Sequence, residues 1–176
     1  FVRSDDGDSW TAINTGLGST AVTKLVVSGG NLFAATASGI YFTSVSSINW
    51  ILSNTGLTST TVNDLTVSGG IVYAATNAGV FTSPDAAALW TGATTGYNGI
   101  TTAVAVFNSK LYLGTPDNGI YRSASLSSIS WSAFNTGYNN NESYAVDNDG
   151  LLVITATNKG LCVSRDLAAS YIPANN

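Results

Sequence analysis

The sequence predicts an all-β fold: β-propeller blades, each a four-stranded antiparallel sheet, with four complete blades following an N-terminal half-blade. Three observations carry this expectation. Trp10, Trp50, Trp90, Trp131 and Tyr171 recur at spacings of 40, 40, 41 and 40 residues. Short β-branched and aromatic runs alternate with Gly, Ser and Asn turns throughout, which is the pattern of antiparallel strands. No apolar 3.6-residue period survives over ten residues, and the density of Gly and Thr opposes helix.

In chain order, residues 1–17 supply only the third and fourth strands of a unit, and complete units follow at 18–57, 58–97, 98–138 and 139–176. In the first complete unit the strands are TKLVV at 23–27, LFAAT at 32–36, IYFTS at 40–44 and WILSN at 50–54. A Ser-Gly-Gly turn, a turn carrying Gly39 and a longer Ser-rich loop join them, and Thr-Gly leads into the next unit. The landmarks recur in step. Asn-Thr-Gly stands at 14–16, 54–56 and 135–137, with Thr-Thr-Gly at 94–96. The second strands end on Thr36, Thr76, Thr115 and Thr157. A single four-stranded sheet cannot bury both faces, so blades must stack around an axis. The Trp of the outermost strand is placed to cover the seam to the neighbouring blade.

Composition narrows the function classes. Of 176 residues 9% are charged, against roughly 25% in an average domain. The net charge is −4 with only 6 Lys and Arg, so the cation cluster that nucleic-acid binding requires is missing. No run approaches the roughly 18 apolar residues of a membrane span. No cofactor is expected: the chain has no His and one Cys, which makes transition-metal sites improbable. Walker, Rossmann and Ser–His–Asp patterns are absent. Cys162 lies in a strand and reads as a small buried hydrophobe. Abundant Thr, Ser and Asn with low charge suits a secreted or cell-surface bacterial protein.

The opening segment FVRSDDGDSW resembles an Asp-box, the Ser/Thr-x-Asp-x-Gly-x-Ser/Thr-Trp hairpin of the bacterial-neuraminidase-repeat families. Asp5, Gly7, Ser9 and Trp10 match, while Arg3 stands where Ser or Thr is usual. Later copies decay, with Asp85 and Asp166 keeping the first half of the motif. The resemblance spans nearly the whole chain. It implies a propeller similar to those of secreted bacterial surface proteins, in the superfamily of sialidases, sortilin-like receptors and photosystem II assembly factors. The box itself implies a folding role: the Asp accepts turn N–H groups, Gly permits positive φ and Trp packs beneath. Calcium binding is the sharper alternative, at Asp5, Asp6 and Asp8 or at Asp147 and Asp149.

A sialidase-like enzyme is disfavoured. The arginine triad that such a resemblance implies would have to come from Arg3, Arg122 and Arg165, which occupy nearly equivalent third-strand positions and cannot readily converge. The only Glu, Glu142, lies in the loop entering the last unit, so a carboxylate pair would require Asp64 to meet it. The expectation is a non-catalytic module for protein interaction or structural assembly. A lectin-like carbohydrate binder is the alternative, and a relic of a glycosidase the third reading.

Candidate binding residues lie where loops enter the innermost strands. Lys24, Asp64, Ala103 and Ser143 align at one channel mouth, and Tyr97-Asn98 and Tyr138-Asn139 place an aromatic beside amides in two adjacent units. The plainer expectation is that Tyr caps the blade end as Leu17 and Leu57 do in the first units; the alternative is that such a ring stacks on a sugar face. The surplus half-blade and the missing initiator Met suggest a piece of a longer propeller, a chain that pairs its open faces with other copies, or a four-bladed ring that closes with the extra strands appended. The expected partner is therefore the chain itself or the rest of a longer propeller, with glycans next.

Overall fold

A computed structural model describes residues 2–3, 10–84, 89–138, 141–148, 151–164 and 172–173, with residues 2, 3 and 173 by backbone alone. Every regular element among them is a strand. The half-blade contributes β1 (Val2–Arg3) and β2 (Trp10–Thr11), which pair with each other. Blade 1 is the meander β3 (Val22–Ser28), β4 (Asn31–Thr36), β5 (Gly39–Ser44), β6 (Ser47–Leu52). Blade 2 is β7 (Val62–Ser68), β8 (Ile71–Thr76), β9 (Gly79–Pro84), β10 (Thr91–Gly92). Blade 3 is β11 (Ala103–Phe107), β12 (Lys110–Gly114), β13 (Ile120–Ser123), β14 (Trp131–Ala133). Blade 4 is β15 (Ala145–Asn148), β16 (Val153–Thr157), β17 (Gly160–Ser164), β18 (Ile172–Pro173).

Each sheet runs in simple up-and-down order, and its first strand is an edge that faces the axis. The innermost strands β3, β7, β11 and β15 stand side by side in that order. The core is therefore not central but divided among the seams. Phe33, Ala35 and Ile40 of blade 1 pack on Val62, Leu65, Val72 and Trp90 of blade 2. Tyr73 and Val80 of blade 2 meet Val104, Leu113 and Trp131 of blade 3, and Tyr112, Ile120 and Phe134 of blade 3 meet Val146, Val153 and Cys162 of blade 4. Cys162 is buried in that last seam, and burial pushes its thiol pKa up.

The repeated Trp residues lock the seams. Each indole Nε1 donates to the carbonyl three residues after the preceding Trp: Trp50 to Ile13 at 2.7 Å, Trp90 to Ser53 at 2.9 Å and Trp131 to Ala93 at 2.6 Å. Their backbone N–H groups donate to Thr15, Thr55 and Thr95, the central residues of the preceding Asn-Thr-Gly or Thr-Thr-Gly. The Gly that follows sits against the Trp carbonyl, with φ of 85° at Gly16, 93° at Gly56 and 88° at Gly96. Any Cβ there would collide with that carbonyl.

Candidate functional site

The four innermost strands line an open-sided channel of about 600 Å³ along the axis. Edge strands present unpaired backbone N–H and C=O groups, which must find partners. The polar side chains of the channel supply them. Thr23 Oγ1 donates to the Val62 carbonyl at 3.3 Å, linking β3 to β7. Asn63 Nδ2 donates to the Thr101 carbonyl at 2.8 Å, and the Asp64 carboxylate accepts the Val104 N–H at 3.0 Å, linking blade 2 to blade 3. Thr102 Oγ1 donates to the Ser143 carbonyl, and Asn148 Nδ2 to the Val106 carbonyl at 2.9 Å, linking blade 3 to blade 4.

Lys24 and Asp64, equivalent residues of adjacent blades, are brought together. Lys24 Nζ lies 2.9 Å from Asp64 Oδ1, with the lysine side chain 45% exposed and the carboxylate 13%. The same oxygen accepts the Leu65 N–H at 2.9 Å. Asp64 is thus held on three sides by one cation and two amides. A β-bulge between Val62 and Asp64 aims it inward.

The ring position expected at Ser143 falls instead on Ala145. Register decides this: Lys24, Asp64 and Ala103 pair with Ala35, Ala75 and Gly114, and Ala145 with Ala156. Blade 3 carries one extra residue in the turn 115–119 and one more between Gly119 and Gly137, so counting by the 40-residue period falls two short. Ser143 is fully buried, its N–H bonded to the Thr115 carbonyl. Among the described residues, the carboxylates that line the channel are Asp64 and Asp147, on blades 2 and 4. Glu142 does not join Asp64; its Oε2 accepts the Tyr144 hydroxyl at 2.7 Å.

The two candidate tyrosines are tucked into the blades. Tyr138 is only 8% exposed, and its hydroxyl donates to the Glu142 carbonyl at 2.8 Å. Tyr97 is half-buried, its ring 4.5 Å from that of Tyr121 and its hydroxyl 2.9 Å from the Ile100 carbonyl. Burial pushes both phenols up to about 12, and the negative charge of Asp117 adds to the effect at Tyr97. Asn98 lies beside Gly79. Asp147 Oδ1 accepts the Asn148 N–H at 2.8 Å. Among the described residues no group of three or more His, Cys, Asp and Glu is placed to hold a metal. Arg122 lies over the Phe134 ring at 4.5 Å from its centroid, a cation–π contact. Asp5, Gly7, Ser9, Asp85, Asn139, Asp149 and Asp166, with Asp6, Asp8 and Arg165, lie outside the described residues, whereas Trp10 is within them and 64% exposed.

Solved structures with the same chain path include several that are distant in sequence. The computationally designed Ika4 protein superposes with a TM-score of 0.70 at 16% identity, over 89% of this chain and 99% of that one. The fold is a β-propeller. The extracellular domain of the hybrid two-component system BT4673 of B. thetaiotaomicron gives a TM-score of 0.74 at 17% identity, over 92% of this chain and 23% of that one. An ancestral GH74 enzyme gives 0.72 at 16% identity, over 95% of this chain and 25% of that one. The chain thus spans nearly all of the designed protein but about a quarter of each of the other two. No protein-family model and no curated protein sequence matches the chain.

Proposed function

We propose that the chain is a non-catalytic, extracellular interaction and assembly module, an Asp-box-like propeller segment similar to those of secreted bacterial surface proteins. The observation that carries this reading is how the axial polar groups are used. Asp64, Asn63, Thr23, Thr102 and Asn148 hydrogen-bond neighbouring blades, and a channel ion pair ties Lys24 to Asp64. General acid–base hydrolysis needs two carboxylates poised across a substrate. Asp64 is locked by its partners, and Asp147 stands on a blade two positions away. The extracellular domain of BT4673 shares the fold and supports placement outside the cell.

Incubation with a panel of chromogenic glycosides, alongside binding to a glycan array, tests the proposal. The expected result is no turnover and no glycan retention at millimolar sugar. Turnover that disappears in Asp64→Asn would overturn the non-catalytic reading. Glycan retention that disappears in Tyr97→Ala would replace it with the carbohydrate-binding one.

A further inference from the structure

The seams between blades have two different sides, and the chain leaves one of each open. In the seam between blades 1 and 2, the leading side is Val62, Leu65 and Val72, with relative exposures of 2%, 1% and 0%. The residues one period earlier, Val22, Leu25 and Leu32 of blade 1, form the same surface, yet Val22 is 38% and Leu25 53% exposed. Val27, at the end of β3, is 61% exposed. Residues Ile13 and Leu17 cover only the outer part of that face, against Tyr41 and Trp50. An apolar cleft of about 270 Å³ remains between them and β3.

The trailing side of the same seam is Phe33, Ala35, Ile40 and Phe42. By strand register its equivalents in blade 4 are Ile154, Ala156, Leu161 and Val163, since Phe33 pairs with Phe42 as Ile154 pairs with Val163, and Ala35 with Ile40 as Ala156 with Leu161. All four are apolar and none is buried, Leu161 being 49% exposed. The open face of blade 1 and the open face of blade 4 are therefore the two halves of an interface that the chain already builds three times within itself.

We propose that a second copy of this chain docks its blade 4 on the leading face of blade 1, head to tail, continuing the seam. The proposal rests on the assembly reading above and names its partner. Contact of this kind is heterologous, so it closes into a ring or propagates as a filament according to the rotation per blade. By the repeat, β1 and β2 hold the positions that β17 and β18 of the incoming blade would take. The β1–β2 ladder spans two residues of each strand, whereas β17 is zipped to β16 along Val153–Thr157. The incoming β17–β18 displaces β1–β2.

Analytical ultracentrifugation of the whole chain and of two surface variants, Leu25→Glu and Leu161→Glu, tests this. The unaltered chain is expected to sediment, concentration-dependently, above the 18.1 kDa monomer. Each variant alone is expected to be monomeric, with Trp fluorescence unchanged. An equimolar mixture of the two is expected to form a 1:1 dimer and nothing larger, because one intact leading face and one intact trailing face remain. A chain lacking residues 1–9 is expected to associate at least as tightly. A monomeric parent chain at 100-fold dilution and at the highest soluble concentration alike would overturn the proposal. So would a Leu161→Glu variant that still dimerises alone, since that is face-to-face pairing through blade 1, or weaker association on removal of residues 1–9. None of these readouts depends on turnover or glycan binding, so failure here leaves the non-catalytic reading standing.

Discussion

At the scale of single residues, the recurring letters of the repeat answer to seams rather than to a site. Trp90 is 2% exposed, and its indole N–H reaches both the carbonyl and the hydroxyl of Ser53, 37 positions earlier. Trp90→Phe keeps most of the apolar bulk but removes the indole donor that those two oxygens share in a buried seam. A loss of about 1–3 kcal/mol is expected from the urea midpoint. Tyr138 makes a prediction of different sign with pH. Its phenol is held neutral up to about 12 by burial, whereas in the unfolded chain it ionises near its ordinary value of about 10. Between those values the unfolded state binds fewer protons than the folded one, so stability falls as pH rises. The stabilisation is complete below about pH 10 and lost on passing about 12. Urea midpoints measured from pH 8 to 11 should drop most steeply at the top of that range, and Tyr138→Phe should flatten the slope.

At the scale of elements, the turns explain the recurring Thr and Asn. Thr36, Thr76, Thr115 and Thr157 each close the second hairpin by donating Oγ1 to the carbonyl of the following Gly, at 2.9, 2.8, 2.8 and 2.9 Å. Asn54 and Asn135 clamp the start of the third strand, accepting the N–H of Ile40 at 3.0 Å and Ile120 at 2.8 Å. The glycines separate two effects. Gly69 has φ of 58° with open space around it, so Gly69→Ala should cost about 1 kcal/mol for backbone strain alone. Gly56 has φ of 93° and abuts the Trp90 carbonyl, so Gly56→Ala should cost roughly 3 kcal/mol. Equal midpoint shifts for the two would mean the Trp carbonyl moves freely.

The period and the strands were legible in the sequence because both are local: alternation and turn chemistry act within a dozen residues. The Trp-to-carbonyl bonds were not, because their partners lie in a neighbouring blade and no spacing rule names them. Lys24 and Asp64 could be placed together by period alone, as equivalent residues of adjacent blades. Ala145 could not, since two inserted residues in blade 3 shift the count. The cap-or-platform ambiguity of Tyr97 and Tyr138 is one of burial, which composition and spacing do not encode.

At the scale of the whole molecule, stacked repeats should show stability that depends on how many faces each blade covers. Blades 2 and 3 have neighbours on both sides; blades 1 and 4 each leave one face open. Amide exchange should therefore be slowest along β7, β8, β11 and β12, and faster in β3 and β17. Leu25 and Leu65 turn this into a matched pair, one period apart with exposures of 53% and 1%. Leu65→Ala removes a side chain from a packed seam and should cost about 2–5 kcal/mol at any concentration. Leu25→Ala should cost the dissociated chain less than about 1 kcal/mol. If a second copy covers blade 1, that same substitution must instead weaken association, and its apparent cost in a thermal melt should grow with protein concentration. A Leu25→Ala cost that stays flat across a hundredfold range of concentration would show that the open face of blade 1 is not where copies meet.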